Sequence, residues 1–180
     1  MLTTGDIQLT YPIKWPGPTN TTNQVGGLYA HDKRVLVSNS TGLFNTGLSS
    51  VPGGSDYYRY VKVFFAHSGQ AGEYLTDPLV YIANESVTDQ IAIAPDPYWL
   101  RRHAAQTGCT NNITAIPDQL SQSEFSGYTV SNPMNISTIT GSTVRMNRGD
   151  TLGVWVRLKI PGGLPNNPEA TFNLGLNGQI

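Results

Sequence analysis

Thr151-Leu152-Gly153-Val154-Trp155-Val156-Arg157-Leu158-Lys159-Ile160 is the stretch that decides the fold class. Leu152, Val154, Val156, Leu158 and Ile160 occupy every second position, with Gly153, Trp155, Arg157 and Lys159 between them. A period of two sends the two sets to opposite faces of a strand, whereas a helix would scatter each set around its axis. Residues 57–66 repeat the pattern. Val61, Val63 and Phe65 share one face, and Tyr58, Tyr60, Lys62 and Phe64 share the other. Aromatic rings on both faces predict that each is at least partly covered, by a second sheet or by a neighbouring subunit.

Working outward, residues 7–11, 34–38, 78–83, 89–94, 125–130 and 143–146 are predicted strands. Pro52-Gly53-Gly54-Ser55-Asp56 is a predicted turn. Residues 170–176 alternate again and are expected to pair with 151–160 in a long-looped antiparallel hairpin, across the proline-rich 161–168. One helix is expected, at about 96–107. Asp96 would cap it, Pro97 suits its first position, and Gly108 would end it. The whole reads as an all-β antiparallel sandwich of jelly-roll type with one short inserted helix. Residues 1–30 would form an N-terminal arm carrying the first strand and a long loop, and 31–180 a single sandwich domain.

Composition agrees with that class and narrows function. The 180 residues include 13 Ser, 19 Thr and 14 Asn, beside 19 Gly and 12 Pro. Short polar side chains compete with the helical backbone for hydrogen bonds and favour turns and strands. Charged residues are 13%, about half the usual share, and net charge is -1. No basic excess is present to neutralise a phosphate backbone, so no nucleic-acid partner is expected. No apolar run approaches the roughly 18 residues of a membrane helix, and Met1-Leu2-Thr3-Thr4-Gly5-Asp6 lacks the layout of a secretion signal, so no membrane partner is expected.

Candidate chemistry is sparse. Cys109 is the single cysteine, and His31, His67 and His103 stand at no metal-ligand spacing, so no metal and no cofactor is expected. The histidines read as surface or turn residues. Asp96, Asp118 and Asp150 read as turn or cap residues. No G-x-S-x-G elbow, phosphate-binding glycine loop or dinucleotide fingerprint occurs, and no catalytic residue is assigned. Trp15, Trp99 and Trp155 could stack on sugar rings. Trp155, set away from the apolar face and beside Arg157, equally suits a protein interface, where Trp, Tyr and Arg concentrate. The interface candidates are Trp155, Arg157, Tyr58, Tyr60 and Trp15.

The order of short motifs resembles a group of small virion proteins of tailed bacteriophages. It runs through Gly5-Asp6-Ile7, Val25-Gly26-Gly27, Tyr58-Arg59-Tyr60-Val61-Lys62, Leu79-Val80-Tyr81-Ile82-Ala83 and Asp89-Gln90-Ile91-Ala92-Ile93-Ala94. It continues with Gly149-Asp150-Thr151-Leu152-Gly153-Val154-Trp155-Val156-Arg157, Ile160-Pro161-Gly162 and Phe172-Asn173-Leu174. The resemblance implies a non-enzymatic structural protein of the particle: a head decoration, or cement, protein. It would be made in the host cytoplasm and bound on the capsid surface to the major capsid protein and to copies of itself, as a homotrimer at threefold positions. A tail, neck or fibre component of the same particle and a carbohydrate-binding sandwich module are the alternatives.

Overall fold

The computed structural model describes residues 6–12, 33–35, 53–86, 89–102, 120–163 and 171–179. The protein is all-β, built as two antiparallel sheets around a shared core. Strands are β1 Ile7–Pro12, β2 Lys33–Val35, β3 Tyr57–His67, β4 Tyr74–Ala83, β5 Ile91–Arg102, β6 Met134–Asn135, β7 Arg145–Asn147, β8 Asp150–Ile160 and β9 Asn173–Gln179. A single helical turn, α1 Ile136–Thr140, follows β6, and a 3-10 turn covers Gln122–Glu124. The larger sheet has the order β2-β1-β3-β8-β5; in the smaller, β4 pairs with β6, β7 and β9.

The decisive alternation is realised as read. Leu152, Val154, Val156, Leu158 and Ile160 of β8 and Val61, Val63 and Phe65 of β3 face the smaller sheet, where Leu75, Val80, Ile82, Met134 and Met146 close the core. The expectation that both faces of β3 would be covered also holds. The second sheet covers one face, and on the other Tyr60 packs with Trp155, Ala92, Ala94 and Phe125. The cover on that side comes from the chain itself, through 120–125.

Three expectations are corrected. The helix at about 96–107 is not formed where the structure describes it, because 96–102 continue β5. Pairing with the free edge of β8 outweighs the cap signals, since helix propensity is a weak local preference. Tyr98 and Trp99 suit a strand equally well. The cap-like residues instead mark a bulge: Pro95 pairs with Val154 and Leu100 with Leu152, so five steps along β5 match two along β8. Pro97 has no N–H to give to a ladder and sits inside that interruption.

The second correction concerns β9, which pairs with β4 in the smaller sheet. Both edges of β8 are already taken, by β3 and β5. Residues 125–130, third, form no strand; Ser126 and Thr129 make isolated bridges only. The first strand, placed by sequence in an N-terminal arm, lies inside the larger sheet between β2 and β3. Residues 16–27 of that arm fall outside the described residues.

Candidate functional site

The outer face of the larger sheet gathers the unusual side chains. Register across β3, β8 and β5 sets them in rows: Tyr60, Arg157 and Ala92; then Lys62, Trp155 and Ala94. Phe64 stands opposite Gly153 in the next row, and Asp96 comes against that glycine from β5. Small alanines on β5 leave room for the rings of β3 and β8.

A short segment lies over these rows. Ser121 caps the 3-10 turn: its backbone N–H and hydroxyl donate to Glu124 Oε2 at 2.6 and 2.9 Å, and Glu124 N–H donates back to the Ser121 carbonyl at 3.1 Å. Ser126 and Ile93 exchange backbone hydrogen bonds at 2.9 and 3.1 Å, which pins the segment to β5. Between these anchors Phe125 drops onto Tyr60, with ring centroids 5.4 Å apart. Gln122 Nε2 donates to the Tyr60 hydroxyl, and Gln122 Oε1 accepts from Arg157 Nη1 at 2.8 Å. The Arg157 guanidinium lies 5.3 Å from the Phe125 ring and 5.6 Å from the Tyr58 ring, within cation–π range. Burial holds the Tyr60 phenol above its ordinary pKa, with the Gln122 hydrogen bond opposing part of that effect.

Four of the five interface candidates therefore meet on one face, in unequal positions. Trp155 and Tyr60 are 4% and 2% exposed, sealed within their own chain. Tyr58 and Arg157 are half-buried at the rim. Trp15 lies outside the described residues, as do His31, His103, Cys109 and Asp118. His67, expected at a surface or turn, is buried at the end of β3, where its Nδ1 accepts from Gly69 N–H at 3.1 Å. Asp150 behaves as a turn residue: its Oδ2 accepts from Asn147 N–H at 2.7 Å.

The feature that sequence reading missed is an ion pair. Lys62 Nζ lies 2.5 Å from Asp96 Oδ2, with side-chain exposures of 0% and 3%. Lys62 leaves β3, crosses β8 and meets β5. The crossing is possible because residue 153 is glycine; a Cβ there would stand 2.7 Å from Asp96 Oδ2. Phe64 and Trp155 wall the ammonium at 5.3 and 5.5 Å. The signal was present as Lys62 on an otherwise aromatic strand face, but Asp96 was occupied by its reading as a helix cap.

At the rim a second, exposed pair joins Lys159 Nζ to Asp56 Oδ2 at 2.9 Å. The Lys159 hydrogen bond holds the Asp56 carboxyl below its ordinary pKa and raises that of Lys159. Stabilisation by a lowered carboxyl is present above its unfolded pKa and fades as pH falls through the folded value. For the raised lysine it is present below the unfolded pKa and fades as pH rises through the folded one. Lys159→Met is accordingly expected to flatten the acid limb of the melting temperature against pH slightly, as thermal melts across the carboxylate range would register, because exposed pairs contribute little.

Among the described residues no group of three or more His, Cys, Asp or Glu is placed to hold a metal ion, and no helix is long and apolar enough to cross a membrane. Comparison with known proteins gives no match to any protein family, curated protein or solved structure.

Proposed function

We propose that this chain is a structural protein of a bacteriophage virion, a head decoration protein that binds the major capsid protein and its own copies, as a trimer, and transforms no substrate. The observation that carries the reading is the rim of the outer sheet face. Tyr58 and Arg157 are half-exposed there, stiffened by the Arg157 guanidinium resting over the Tyr58 ring and by the hydrogen bond of Arg157 to Gln122. Tyr and Arg held in fixed rotamers lose little entropy on docking, and these residue types dominate the energetics of protein interfaces. Within this reading Tyr60 and Trp155 hold the rim from below and touch no partner. The motifs behind the phage resemblance support it further: Tyr58-Arg59-Tyr60 and Trp155-Val156-Arg157 lie on neighbouring strands, with Tyr60 opposite Arg157. Low charge, 13% of residues, lets subunits approach without stripping water from many ions.

The test is particle occupancy. The chain is expected in purified virions, on the head surface by electron cryo-microscopy. Tyr58→Ala and Arg157→Gln should each lower its affinity for emptied heads about tenfold or more, the scale of an interface hot spot. Thermal melts of the isolated variants report whether the fold is kept. Absence from intact virions, or undiminished binding by both folded variants, overturns the assignment.

A further inference from the structure

We propose that Lys62 and Asp96 condense into an intramolecular amide, a covalent tie between β3 and β5 across β8. The inference is independent of any role in a particle. It rests on three features of the pair: contact, enclosure and a preset path.

The contact is direct, with Nζ at 2.5 Å from Oδ2. Enclosure is nearly complete, because both side chains are sealed from solvent and the amine lies against the rings of Phe64 and Trp155. Water can neither solvate the charges well nor compete as a nucleophile there. The path is preset by Gly153, whose missing side chain leaves the space that the Asp96 carboxyl occupies; a Cβ there would stand 2.7 Å from Oδ2 and 3.2 Å from Cγ. Fixing two reacting groups in this way raises their effective concentration by many orders of magnitude, which an amine and a carboxyl need to react without prior activation.

The step balances with no other reagent. A proton passes from the ammonium to the carboxylate, leaving a neutral amine beside a neutral acid. The Nζ lone pair adds to Cγ, and a second Nζ proton moves to the hydroxyl oxygen. The C–O bond breaks, one water leaves, and an amide N–H remains. Ammonium plus carboxylate thus gives amide plus water, with no change of oxidation state.

Intact-mass spectrometry of the purified, denatured full chain tests this directly. The expected mass is that of the sequence less one water. Trypsin adds an address, because the chain has no Lys or Arg between Lys62 and Arg101. With Lys62 acylated, cleavage after it stops, and residues 60–101 emerge as one internally closed fragment lacking one water. Lys62→Arg keeps a buried cation but has no primary amine, and Asp96→Ala removes the electrophile; both should show the full mass of their own sequence and regain tryptic cleavage after residue 62. A wild-type chain at full sequence mass overturns the proposal, leaving a salt bridge only. So does a water loss that persists in both variants, since it would then lie elsewhere.

Discussion

Asp96→Ala is expected to lower the unfolding free energy by about 3–5 kcal/mol, the penalty for stranding a buried charge. For a chain of this length that is a fall of roughly 10 °C in melting temperature. Lys62 has no route to solvent in the folded state: its side chain is fully enclosed between Phe64 and Trp155, and its partner carboxylate arrives from a different strand. Removing the carboxylate leaves the ammonium walled by the rings of Phe64 and Trp155, whose cation–π attraction is about 0.5–2 kcal/mol. Adding Lys62→Met to Asp96→Ala should restore part of the loss, because two apolar side chains are tolerated where one unpaired charge is not. Denaturant titration of the single and double variants measures this. A single variant as stable as the wild type would mean that the pair is hydrated in solution and the enclosure is wrong.

Trp155→Ala is expected to cost about 3–5 kcal/mol in the isolated chain, from lost burial and the cavity left behind. The indole is 4% exposed and belongs to the cluster of Tyr60, Ala92, Ala94 and Phe125. It also walls Lys62, so its loss opens the pocket of the ion pair. This outcome differs from that of a residue whose work is done only against a partner. An interface anchor leaves the melting of the free subunit unchanged and weakens association alone. Thermal or denaturant unfolding of the purified variant decides between the two, and an unchanged midpoint would return Trp155 to the list of partner contacts.

Much of this architecture was legible in the sequence, for a definite reason. β3 and β8 alternate so strictly that their faces follow from residue order, and the covering of both faces follows from rings on each. What alternation leaves open is the neighbour. Phe172, Leu174 and Leu176 announce a strand with one apolar side, and that side fits the core from either sheet. Only the prior pairing of β8 with β3 and β5 sends β9 to β4. Residues 96–99 fail differently. Asp followed by Pro starts helices, and it equally suits a break in a ladder, so the local signal is ambiguous and the free strand edge decides. The rim of the candidate site inherits this pattern. Tyr58, Tyr60, Trp155 and Arg157 were found because they share strand faces. Gln122 and Phe125, which fasten them, lie about sixty positions from Tyr60 and come near only through the fold. Asp96, for its part, was hidden behind the misread helix.

The pairing of β3 with β8 joins residues far apart in the chain: Ala66 meets Thr151 and Tyr57 meets Ile160, separations of 85 and 103 positions. During synthesis the β3–β8 ladder of the larger sheet therefore cannot form until residues 150–160 have left the ribosome. Until then β3, with Val61, Val63, Phe64 and Phe65, has only β1 to pair with, along Phe64–His67, and its other edge is open. Topology of this kind folds slowly, in milliseconds to seconds, because a long loop must close before any contact rewards it. The nascent protein thus spends its most aggregation-prone interval tethered, and overproduction would tax chaperones before it taxed the finished sandwich.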